Sequence, residues 1–276
     1  MRLNSYCKDE LMTLHDQQQR VATRGQILKA TAATGAGLAL AGAATRGNAF
    51  AATRASATPG QESILDIIST ALIAERLATT FYYTGLTTKA VVATPNLAGA
   101  GGDPNNVGSD GNEGNVAYFQ AALDQENKHA AALAAAGAKS SLTSFYFPAT
   151  TFQSIGYTSQ AGTFLWVLDH LETAFIGAYL AAIARFGQLK RADLAELAGQ
   201  ILGVESEHRA LGRVVAGDDP ANNVTLEVVS FQNVSGAVTA LTPFLTGKGF
   251  PGGATQAIAL PTQDQIKTIV GKNTSS

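Results

Sequence analysis

Cysteine is all but missing: one residue, Cys7, stands among 276. A single thiol excludes a disulfide framework and a zinc-thiolate cluster. Cys7 also precedes the cleavage pattern described below, so the mature chain is expected to carry no cysteine nucleophile. Charge is sparse as well, with 14% charged residues and a formal net charge of −2. Such a chain offers no basic stripe for a nucleic acid or an anionic membrane surface, and no nucleic-acid partner is expected. The glycine-rich stretch at 97–114 (LAGAGGDPNNVGSDGNEG) has neither a lysine nor the Gly-Lys-Ser/Thr ending of a phosphate-binding loop. No nucleotide or flavin fingerprint occurs elsewhere. Any metal must therefore be held by oxygen and imidazole.

What is present begins with an export-like segment. Arg20, Arg24 and Lys29 precede a run of small apolar residues from Ala30 to Ala44, and Ala49-Phe50-Ala51 follows as an A-x-A cleavage pattern. About fifteen apolar residues fall short of the ~20 that span a bilayer. Residues 1–51 are thus read as a cleaved export signal, with a membrane anchor as the alternative. The stretch Thr23 to Lys29 resembles a twin-arginine signal in which Gly25 occupies the place of the second arginine. A periplasmic or extracellular location is expected, with no stable membrane span after cleavage. A linker over 52–61 follows.

Four segments then carry helical periodicity, which predicts an all-α domain over 62–216. The first, about 62–86, places Ile64, Ile68, Ala71, Glu75, Ala78 and Tyr82 on one stripe. The second, about 115–136, does so with Val116, Phe119, Leu123, Glu126, His129 or Ala130, and Leu133. The third, about 160–186, aligns Leu165, Leu168, Glu172, Phe175 and Tyr179, and the fourth, about 191–215, aligns Leu194, Ala198, Ile201, Glu205, His208 and Val215. Between the second and third, the aromatic stretch SFYFPATTFQSIGY predicts an ordered crossover along the bundle. Residues 217–276 read as an irregular tail packed on the bundle, with one or two short helices.

Each stripe carries a glutamate where an isolated ionised carboxylate would be costly. Two of the stripes carry Glu-x-x-His, as Glu126 to His129 and Glu205 to His208. Residues three apart share a helix face, so each pair can bind one metal or bridge two. Four glutamates meeting in one core repel one another, and two divalent cations supply the missing positive charge while two neutral imidazoles complete the shell. Glu75, Glu126, His129, Glu172, Glu205 and His208 are the expected ligands. Tyr82 and Tyr179 each follow a stripe glutamate by seven residues, which implies two matching helix pairs. These tyrosines either hydrogen-bond ligands and relay electrons, or serve as core residues. His170, which lacks such a glutamate, is expected to be a hydrogen-bonded helix histidine. Asp169 either orients a ligand histidine or is solvated, while Asp124, Lys128 and Glu207 are expected to face solvent and Trp166 the core.

The order Glu, Glu-x-x-His, long crossover, Glu, Glu-x-x-His resembles the ferritin-like di-iron or di-manganese carboxylate superfamily, which includes bacterioferritin and rubrerythrin. SFYFPATTF, GVESEH, PANN and FPGG resemble more closely its exported branch, which includes desiccation-related proteins. The resemblance implies a ferritin-like four-helix bundle with a di-metal site of iron or manganese, zinc being a further option. It also implies Fe(II) oxidation or peroxide removal, with dioxygen or peroxide as partners. The long first loop and the tail depart from cage-forming ferritins, and a smaller homo-oligomer is compatible with the chain. A second reading is a non-enzymatic stress protein of the envelope whose metals staple the bundle.

Overall fold

The computed structural model describes residues 62–92, 114–218, 220–231 and 233–271. The expected export signal, the linker and most of the glycine-rich loop lie outside them. All that follows concerns the compact unit that holds the described residues up to 223 and from 227 onward.

The bundle is formed by α1 (Ile64–Thr87), α3 (Gly114–Ala135), α4 (Phe164–Gln188) and α5 (Ala192–Ala216), with a short α2 (Lys89–Val92) after α1. The expected bounds agree within two residues except at the start of α4. There Tyr157, Gln160 and Gly162 form turns, and the helix begins four residues later than its periodicity implied. A capping box starts α1: Ser63 Oγ accepts from the Asp66 amide at 3.2 Å, and the Ser63 amide donates to Asp66 Oδ2 at 3.3 Å. Gly217, left-handed at φ 78°, ends α5. The α4–α5 turn instead places Lys190 at φ 56°, a conformation that costs a side-chain-bearing residue about 1 kcal/mol.

Two apolar clusters fill the bundle, and the glutamates lie where they meet. One gathers Phe81, Phe119, Phe147, Phe164 and Leu168. The other gathers Ile68, Leu72, Leu133, Ala182 and Ile201. Phe81 and Phe164 stack with ring centroids 4.4 Å apart and planes 7° from parallel. Gly85 makes that approach possible, because a Cβ there would lie 2.2 Å from the Phe164 ring. By length and composition α4 could cross a membrane. Its apolar residues are spent on the bundle instead, with Phe164, Leu168 and Phe175 buried.

The tail carries two short helices, as many as the expectation allowed, and a strand that it did not include. Helix α6 (Val234–Thr246) and α7 (Gln263–Val270) flank a strand, β2 (Ile258–Ala259), which pairs antiparallel with β1 (Ser144–Phe145) of the crossover. Tyr146 N donates to Phe244 O at 2.8 Å and Leu260 N to Thr143 O at 2.8 Å. This zip holds Phe145 and Phe147 fully buried. The Glu62 carboxylate accepts from Ser235 N at 2.7 Å and Ser235 Oγ at 2.8 Å, fixing the start of α6 beside the start of α1. At the other end, Gln120 Nε2 donates to Ile269 O at 2.9 Å and ties α7 to α3.

Candidate metal centre

Each bundle helix carries its glutamate at mid-length, one turn or more from the fraying ends, and points it inward because its apolar neighbours at i±3 and i±4 face the core. Glu75, Glu126, Glu172 and Glu205 are all essentially buried, at 0–1% exposure. They converge with both Glu-x-x-His histidines into two sets of four. Glu75, Glu126, His129 and Glu205 form one; Glu126, Glu172, Glu205 and His208 form the other. Within each set, one donor atom per residue lies within 4.8 Å of all the others. Glu126 and Glu205 belong to both.

The same ring nitrogen faces inward on both histidines. His129 Nδ1 lies 3.2 Å from Glu75 Oε2, 3.4 Å from Glu205 Oε1 and 3.9 Å from Glu126 Oε2. His208 Nδ1 lies 3.0 Å from Glu126 Oε1 and 3.8 Å from both Glu172 Oε1 and Glu205 Oε2. At 3.0 Å the contact with Glu126 still lacks hydrogen-bond geometry, and His208 Nδ1 is a buried atom without a hydrogen-bond partner. So are both carboxylate oxygens of Glu126, both of Glu205, and Glu172 Oε2. Orphaned buried polar atoms are rare because each costs roughly 1–3 kcal/mol, and more when charged. Six of them aimed at one volume fit divalent cations bound by carboxylate and imidazole.

The electrostatics of the chain by itself show what the cations would relieve. Burial, followed by the charges of Glu205 and Glu126, raises the pKa values of Glu75 and Glu172 well above the usual carboxylate range. Burial pushes Glu126 the same way, yet His129 and His208 outweigh it and hold this carboxylate below its ordinary value. Burial alone would lower the His129 imidazole, but Glu126, Glu205 and Glu75 hold it far above the usual range. Against the same penalty, Glu126 and Glu205 raise His208 to about 9.

Both tyrosines reach across the bundle. Tyr82, on the helix of Glu75, donates to Glu172 Oε1 at 2.6 Å. Tyr179, on the helix of Glu172, donates to Glu75 Oε1. Burial and the neighbouring carboxylates raise both phenols well above their ordinary value, so each keeps the proton with which it holds its partner. The pairing is reciprocal between the two halves, and it makes these residues both core and site.

Gln125 was not visible as a site residue. Its Oε1 lies 2.8 Å from His208 Nε2, which fixes the ring and places a proton on the outer nitrogen. No local signal in the sequence marks it, since its partner lies on α5. The tail also reaches residues next to site positions. The buried Arg209 pairs with Glu227 and approaches Thr173 Oγ1 at 3.5 Å, while Ser206 Oγ lies 3.5 Å from Glu227 Oε1. Thr173, Ser206 and Arg209 directly follow Glu172, Glu205 and His208.

Other expectations need correction. Asp169 orients no histidine; it accepts from Arg213 Nε at 2.6 Å on the neighbouring helix. Asp124 is buried at 8% exposure, and it pairs with Lys128 at 3.0 Å. Lys128 and Glu207 are exposed as expected. His170 is exposed and takes part in a 2.8 Å hydrogen bond with the Trp166 carbonyl. Its ring stacks on Trp166, which is half-buried instead of enclosed.

No curated protein and no solved structure matches the chain. A family model described as a ferritin-like domain matches residues 63–218, which span all four bundle helices and every residue of the two ligand sets, and the chain belongs to that family.

Proposed function

We propose that the chain is an exported di-metal oxidoreductase that oxidises Fe(II) or removes peroxide, with two iron or manganese ions resident in the bundle. One observation carries this reading: two four-residue ligand sets share Glu126 and Glu205, and both carboxylate oxygens of each shared glutamate are buried without a hydrogen-bond partner. A structural staple needs no such sharing. Glu126 and Glu205 would bridge the two ions, Glu75 and His129 would complete one set, and Glu172 and His208 the other. Two adjacent ions supply paired one-electron changes to an oxidant that takes two electrons.

The chain's own residues do the remaining work. Tyr179 and Tyr82 hold one oxygen each of Glu75 and Glu172; the second oxygen of Glu75 faces His129 Nδ1 at 3.2 Å, and that of Glu172 has no hydrogen-bond partner. Gln125 keeps the His208 ring turned with Nδ1 inward. Glu75, Glu172, His129 and His208, whose proton affinity is raised in the metal-free chain, would lose protons when cations enter, so loading is coupled to proton release. The overall balance with Fe(II) as substrate is simple: two Fe(II) give up two electrons, and dioxygen takes these with two protons and leaves as hydrogen peroxide. With hydrogen peroxide as oxidant, the same electrons and two protons yield two waters. The export-like segment at 1–51 supports a place outside the cytoplasm.

Metal analysis of the purified protein, followed by addition of Fe(II) with oxygen or peroxide, tests the reading. About two ions per chain are expected, with turnover abolished by Glu126→Ala. Bound metal without turnover would favour the stress-protein alternative. A chain that binds no metal would remove the site altogether.

A further inference from the structure

Helix α6 does not close perfectly over the groove between α1 and α4. A cavity remains, lined by Ala71 and Ala74 of α1, Ala178 and Tyr179 of α4, and Ala237 and Leu241 of α6. About 20 Å³ of it is open to the centre of a water-sized sphere. That is room for a body of about the size of a water molecule or a diatomic gas. Its surface is wholly apolar. Thr70 and Tyr179 are the two polar residues on its wall, and neither turns a polar atom to it. A buried water needs two to four polar partners, which this lining does not offer, whereas a small apolar molecule needs none.

The wall is shared with the metal centre. The Tyr179 ring lines the cavity while its hydroxyl donates to Glu75, and Ala74 immediately precedes Glu75. Alanines on all three helices leave the space open where larger residues would fill it. We propose that the cavity is a dioxygen site that supplies the centre past Tyr179. The proposal rests on the reading that the centre consumes an oxygen species, and it names dioxygen over peroxide. Hydrogen peroxide would enter this lining with both O–H groups unsatisfied.

Xenon, an apolar probe of suitable size, tests occupancy in crystals of the purified protein under pressure. One peak between α1, α4 and α6 is expected. Ala237→Leu and, separately, Ala178→Val fill the space from different helices, and either is expected to abolish the peak. In steady state each variant raises the KM for dioxygen about fivefold or more while kcat, the KM for Fe(II), metal content and peroxide-driven oxidation stay unchanged. An empty cavity in a parent protein that consumes dioxygen would overturn this proposal alone. So would a variant that excludes xenon yet keeps the parent's dioxygen dependence. A parent that loads metal and binds xenon but reacts with peroxide and not with dioxygen would overturn this proposal alone, and one inert to both would overturn the functional reading with it.

Discussion

The two ligand sets have matching chemistry but different enclosure. His208 has a side chain 2% exposed and its outer nitrogen tied to Gln125, whereas His129 is 13% exposed. Cavity-wall residues belong to both sides, Ala74 next to Glu75 and Phe175 one turn from Glu172, and Tyr179 on that wall bonds Glu75. The half with His208 is the more enclosed, and the half with His129 stands nearer solvent. The shared glutamates prevent the halves from acting independently.

The largest effect should come from removing what the halves have in common. Glu126→Ala is expected to take metal content from about two ions per chain to below one, whereas Glu75→Ala leaves the Glu172 and His208 set able to hold its ion. Elemental analysis after gel filtration reads this directly. Equal losses from both variants would break the picture of one shared and one private ligand.

Gln125→Leu should act on one half only. Loss of an outer partner of a ligand histidine typically weakens metal binding 10–100-fold, so about that loss is expected for the His208 set, with the His129 set little changed. Competitive titration with a chelator would resolve two affinities in the parent and a wider gap in the variant.

Acidity separates the metal-free chain from the loaded one. Glu75 and Glu172 have raised folded values, so their contribution is complete below about 4.5 and is lost as pH rises. The His208 contribution is complete below about 6.5 and is lost as pH rises through about 9, while His129, held far higher, keeps its contribution over that range. Glu126 runs the other way, losing its contribution as pH falls below about 4.5. The metal-free protein should therefore be most stable in mild acid and should lose about 5 °C or more of Tm by pH ~9. Metal binding strengthens over that same range. Calorimetry of both forms should show their Tm values diverging as pH rises, and parallel curves would count against buried, proton-linked ligands.

The tyrosines should have the smallest effect. Tyr82→Phe and Tyr179→Phe each remove one hydrogen bond to a carboxylate, worth about 1.5–3 kcal/mol when the acceptor is charged and less when it is neutral. Metal content should persist in both, and turnover should fall only modestly in each.

The bundle and the six site residues were legible because their signals are local. Stripes at steps of three and four place Glu75 and Glu172 inward, and the i, i+3 spacing sets His129 and His208 on the faces of Glu126 and Glu205. What escaped the sequence depends on distant partners. The pairing of Ser144 with Ala259 joins segments more than a hundred residues apart, and no periodicity announces a two-residue strand. Gln125 and Asp169 sit on helix faces whose neighbours belong to other helices, so their partners, His208 and Arg213, emerge only from the packing. Glu227 is one carboxylate in a stretch without helical pattern, and nothing beside it reveals Arg209.

The central claim is that Glu126 and Glu205 are shared between two metal positions. A crystal structure of the metal-loaded protein, with anomalous data at the metal edge, tests this most directly. Two peaks are expected, one among Glu75, Glu126, His129 and Glu205 and the other among Glu126, Glu172, Glu205 and His208. A single peak, or metal bound outside these residues, would contradict the account.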